Sequence, residues 1–172
     1  MTTLLLSVFL FILGTAGLPA SGGPYIIENQ QTGYVLTIQN GSTALPGAKI
    51  IGMPLVSPSI PSQQWLLNQV TTIGNSGFYT LTALVPSMSV FVNGVVNTGL
   101  TVQPFASPLN VTELRPNSGI FFITFPTTTL SATTSTVANV QLTLTALNTL
   151  NPLEEWSFIL QGPDQPPQCA PA

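Results

Sequence analysis

Apolar residues in this chain fall in short bursts rather than at helical spacing. Tyr25-Ile26-Ile27, Tyr34-Val35-Leu36, Ile50-Ile51, Trp65-Leu66-Leu67, Phe78-Tyr79, Val90-Phe91-Val92, Phe121-Phe122-Ile123 and Trp156-Ser157-Phe158-Ile159 are separated by stretches rich in Gly, Pro, Asn, Ser and Thr. A helix needs apolar positions three and four apart over three turns or more, and Pro and Gly recur too often here to allow it. β-Branched and aromatic bursts between turn residues predict about ten to twelve strands and an all-β fold.

The bursts stack into three units. Each opens on an aromatic strand after a glycine: Gly23-Pro24-Tyr25, Gly77-Phe78-Tyr79 and Gly119-Ile120-Phe121. The first and third close alike, on Gln63-Gln64-Trp65 and Glu154-Glu155-Trp156, whereas the second closes on Pro108-Leu109-Asn110 with no tryptophan. Three four-stranded units predict a single β-trefoil, with six strands closing a barrel and three hairpins capping it, which removes the open sheet edges. Trp65 and Trp156 are the predicted core plugs, and Leu109 takes that role in the second unit, which turns Asn110 outward.

Composition then removes whole classes of function. Of 172 residues only two are basic and five acidic, and histidine is absent. Charged residues make up 4% of the chain, against roughly 25% in an ordinary soluble domain. Two cations cannot make a nucleic-acid surface. Without histidine there is no Ser-His or Cys-His pair, and one cysteine with one aspartate leaves little to hold a metal. Glu154 and Glu155 are adjacent on an extended segment, so they face opposite ways and cannot work as a pair. The expectation is a binding protein with no enzymatic activity and no cofactor or metal.

Residues 4–18 form an apolar run too short to span a bilayer, which takes about 20 residues, but suited to a signal-peptide core. Small residues precede two cleavage points, after Ala16 and after Ala20, and residues 1–20 are assigned to the leader. The domain is then 21–161, followed by a disordered Pro-rich tail, 162–172, that carries Cys169 as a free thiol. No later segment is long and apolar enough for a membrane helix, so a secreted, extracellular protein is expected. In that setting Asn40-Gly41-Ser42 and Asn110-Val111-Thr112 are glycosylation sequons at Asn40 and Asn110.

Tyr25-Ile26-Ile27-Glu28-Asn29-Gln30-Gln31-Thr32-Gly33 resembles the opening strand and turn of fungal β-trefoils, both the cospin-like serine-protease inhibitors and the ricin-B-type lectins. The stretch Ala44-Leu45-Pro46 before Ile50-Ile51-Gly52-Met53-Pro54, the run from Tyr79 to Pro86 and the ending Asn151-Pro152-Leu153-Glu154-Glu155-Trp156 are similar to the inhibitors. That resemblance implies a serine-type endopeptidase inhibitor whose reactive loop lies early in the first unit, at Gln39-Asn40-Gly41-Ser42-Thr43, with Asn40 in the specificity pocket and a secreted serine protease as partner. Asn40-Gly41 is equally a hairpin-turn pair, and Val92-Asn93-Gly94-Val95 carries the same ambiguity. The alternative is a ricin-B-like lectin with a glycan as partner. Such lectins typically place Asp on the second strand and Asn before Gln-x-Trp, where this chain has Thr37, Ser62 and Leu153, so its sugar sites look eroded. A third reading is a stable glycosylated scaffold with neither activity.

Overall fold

The β-branched bursts do become strands. The computed structural model describes residues 17–74, 76–126 and 128–162, and these hold thirteen strands and three single-turn 3₁₀ segments. Residues 1–16 of the expected leader, and the expected tail beyond Gly162 with Cys169, lie outside the described residues. The first unit comprises β1 (Gly22–Asn29), β2 (Tyr34–Ile38), β3 (Ile50–Pro54) and β4 (Trp65–Ile73). The second comprises β5 (Ser76–Ala83), β6 (Ser89–Phe91), β7 (Thr101–Gln103) and β8 (Leu109–Glu113). In the third, β9 (Phe121–Thr124) and β10 (Leu130–Thr133) are followed by a third strand broken into β11 (Val140–Gln141) and β12 (Thr143–Ala146), then β13 (Trp156–Leu160).

Antiparallel pairings run β1–β4, β4–β5, β5–β8, β8–β9, β9–β13 and back to β1. The ring closes, so these six strands leave no free edge. Six of the other strands form three hairpins, β2–β3, β6–β7 and β10–β12, that cover one end, and β11 pairs with β3. The chain is a single β-trefoil.

The pseudo-threefold axis is written in the backbone. Ile50 N–H donates to the Leu100 carbonyl at 3.0 Å, Leu100 N–H to Leu142 at 2.9 Å, and Leu142 N–H back to Ile50 at 2.9 Å. A second cycle surrounds it: Gly47, Asn97 and Asn139 donate to the carbonyls of Val102, Leu144 and Gly52 at 2.7–2.8 Å. All three donors have positive φ (89°, 61° and 65°). Glycine adopts that conformation freely and asparagine at low cost, so each hairpin supplies one or the other at its interlocking residue.

Inside the barrel, register makes Tyr25, Tyr79 and Phe121 equivalent, facing Trp65, Leu109 and Trp156 across the sheet. All six are buried. Each indole ring reaches from the barrel to a cap hairpin, Trp65 Nε1 donating to the Leu36 carbonyl and Trp156 Nε1 to the Ala132 carbonyl, both at 3.0 Å. Burying about 150–250 Å² per tryptophan contributes roughly 4–6 kcal/mol before entropy is counted. Leu109 cannot donate, and the matching carbonyl, Val90, instead accepts the backbone N–H of Ser107 at 2.9 Å.

Candidate functional site

The Gln39 to Thr43 segment does not have the shape expected of a reactive loop. A substrate-like loop needs extended backbone, but Asn40 and Gly41 are both left-handed (φ 69° and 57°) and residues Gly41–Thr43 coil into a 3₁₀ turn. Thr43 folds back on Asn40, its N–H and hydroxyl both donating to the Asn40 carbonyl at 3.3 and 2.9 Å, while Ala44 is buried behind it. The Asn-Gly pair takes its turn-forming role here. Asn40 is exposed at the turn. Asn110 lies on β8, half-buried between Leu109 and Val111, with its side-chain amide donating to Thr112 Oγ1 at 3.2 Å.

Of the positions at which the lectin resemblance places sugar contacts, Thr37 and Ser62 in the first unit are buried and Leu153 in the third is half-buried. Gln63 Nε2 donates to Thr37 Oγ1 (3.1 Å) and the Pro54 carbonyl (3.0 Å), and its Oε1 accepts the Val56 N–H at 3.0 Å. Gln63, Thr37 and Ser62 are all buried. In the third unit Glu154 stands where Gln63 does. Its carboxylate accepts the Asn148 N–H at 3.1 Å, the Asn151 amide at 2.9 Å and the Thr145 hydroxyl at 3.4 Å, and Thr145 pairs with Thr133. Glu154 is 1% exposed. In both units the residue two places before the tryptophan, Gln63 or Glu154, is consumed in holding the closing loop together and against its hairpin.

The second unit departs from this plan. Its closing connection, residues 104–108, is about half as long as residues 55–64 and 147–155 in the other two, and it lacks their 3₁₀ turn. Phe91 replaces Thr37 and Thr133 in register, and Ser107 replaces Gln63 and Glu154. Among the described residues no buried amide or carboxylate clamps the connection; the Ser107 hydroxyl accepts the Val92 N–H at 3.1 Å and donates weakly to the Val92 carbonyl at 3.5 Å. Phe105 stands out from the connection, 60% exposed, edge-to-face against Phe91 with ring centroids 5.3 Å apart and planes at 84°.

The same connection, through Ser107 and Pro108, forms one wall of a groove of about 200 Å³ between the second and third units, lined also by Val92, Asn93, Phe125 and Thr128. It opens into a shallower depression of about 700 Å³ past Val96 and Thr129. Asn93 Oδ1 accepts from Val95 N–H (3.2 Å) and Thr98 Oγ1 (2.6 Å), which orients the amide and leaves Nδ2 without a protein partner among the described residues. The groove carries no charged side chain, only neutral donors and acceptors set among apolar walls. Phe91, Phe105 and Ser107 were not singled out from sequence, and Asn93 only within the Val92–Val95 stretch that reads as either a reactive loop or a hairpin turn. The available signal was the shortened connection without its tryptophan.

A scan against protein-family models finds no match, and neither does a search of curated proteins. Solved structures do match. The Macrolepiota procera ricin B-like lectin, in complex with lactose, superimposes with a TM-score of 0.68 at 19% identity, over 83% of this chain and 99% of that one. The Rhizoctonia solani agglutinin gives 0.68 at 21% identity over 84% and 99%. A designed three-fold symmetric protein, ThreeFoil, gives 0.65 at 18% over 78% and 96%. The shared feature is the β-trefoil fold.

Proposed function

We propose that this domain is a glycan-binding module and that it holds a sugar in the groove between its second and third units. The observation that carries the reading is the open connection at residues 104–108, which exposes an aromatic face at Phe105 and, two residues on at Ser107 and Pro108, walls a groove of neutral hydrogen-bonding groups. A pyranose needs that combination: a ring face for its C–H surface, and uncharged donors and acceptors for its hydroxyls. Lactose in the M. procera lectin and a saccharide in the SeviL structure, which superimposes at 13% identity, support glycans as a ligand class for this fold.

Screening the domain on a glycan array, followed by calorimetry on any sugar retained, tests it. Phe105→Ala and Asn93→Ala are each expected to weaken binding by about tenfold or more while the domain stays folded. An array with no retained glycan, or a sugar that binds both variants as well as the wild type, overturns the reading.

A further inference from the structure

The barrel end opposite the cap is closed by chain that the sequence assigns to the leader. Pro19 is buried there, and Leu18 packs half-buried against the core. Two of the three equivalent barrel aromatics carry hydroxyls, and both find acceptors in this segment. Tyr79 OH donates to the Pro19 carbonyl at 2.8 Å, and Tyr25 OH to the Ala20 carbonyl at 3.0 Å. The third equivalent, Phe121, has no hydroxyl to satisfy. Ser21 fastens the segment's end to β4, donating to the Leu67 carbonyl and accepting the Gln69 N–H, both at 3.2 Å. The fit is built from the barrel side as well. A Cβ at Gly77 would lie 2.3 Å from the Tyr79 ring, so only glycine lets that ring sit where its hydroxyl meets Pro19.

We propose that residues 17–20 are a plug retained in the mature domain, and that the leader is removed at the Ala16–Gly17 bond rather than after Ala20. Cleavage after Ala20 removes both acceptor carbonyls and leaves a buried phenol without a partner, which costs more than the hydrogen bond itself contributes. Hydrolysis at Ala16–Gly17 uses water and an export endopeptidase. It leaves a carboxylate on Ala16 and a new α-amino group on Gly17, which is exposed. Gly14 and Ala16 supply the small-x-small pattern that such enzymes read. The inference rests on the secretory reading of residues 1–16 and is independent of the glycan proposal.

The test is intact-mass analysis of the protein secreted from the full chain, after enzymatic removal of any N-glycan. An N-terminus that keeps both Pro19 and Ala20, with Gly17 expected, supports the plug; one that lacks either overturns it. Absorbance titration of the same secreted protein against its Tyr79→Phe variant gives a second readout. The lost phenol signal is expected to fall above the ordinary tyrosine range, and a loss at the ordinary pH overturns the plug.

Discussion

Units one and three differ from unit two less in their strands than in what ties the last strand down. In the first and third, a tryptophan and a buried Gln or Glu tie the closing segment to itself and to its hairpin through four hydrogen bonds in each unit. In the second, Leu109 and Ser107 stand at those places, and the connection is short and carries an exposed phenylalanine. One backbone plan thus serves two ends. Where polar groups are spent on closure the unit is a strut, and where closure is left to aliphatic packing the surface stays open to a ligand.

That contrast is easiest to break in the core. Trp156→Ala removes a plug and strands the Ala132 carbonyl, and is expected to cost about 3–5 kcal/mol in chemical denaturation. Gln63→Ala takes the partner from the Val56 N–H, the Pro54 carbonyl and the buried Thr37 hydroxyl together, for about 1–3 kcal/mol. Ser107→Ala, at the same place in the second unit, is expected to cost less than half as much; equal losses would mean that the second unit is clamped after all.

At the uncapped end the grouping of the units changes, and pH exposes it. Burial holds Tyr25 above the usual tyrosine value of 10.0, against a smaller lowering by its hydrogen bond to Ala20, and burial with the neighbouring Tyr25 does the same for Tyr79. The folded state therefore keeps protons that the unfolded chain releases. Stability is full below pH 10 and is lost as pH rises through 10 toward the higher folded values. Thermal melts from pH 8 to 11 should show this fall, and Tyr79→Phe should flatten it. The smallest effect on stability is expected at the proposed site: Phe105→Ala should stay within about 0.5 kcal/mol of the wild type, since the ring is mostly solvated.

Much of the fold was legible because each level of the sequence agreed. The aromatic openings, the Trp65 and Trp156 endings and the Gly or Asn at each hairpin interlock all repeat with the unit. The third strand of the last unit breaks at Leu142, whose N–H is taken by the axial cycle through Ile50 and Leu100, and burst composition does not reveal that. The functional reading was harder. Asn40-Gly41 has the same letters whether it presents a loop to a protease or turns a hairpin, and only the backbone angles decide. Gln63 marks the closing motif in the sequence, but its three hydrogen bonds to Thr37, Pro54 and Val56 are visible only in the fold. Phe105 gave no signal, because an aromatic in a short Pro-flanked loop reads as one more strand end, and its exposure depends on a connection that lacks the clamp.

The most direct test of the open second unit is an NMR titration of the isotope-labelled domain with a sugar retained on the array. Shifts are predicted at Asn93, Phe105, Ser107 and Thr128, with Gln63, Thr37, Thr133 and Glu154 unmoved. Shifts centred on the Thr37–Gln63 or Thr133–Glu154 networks would contradict the account.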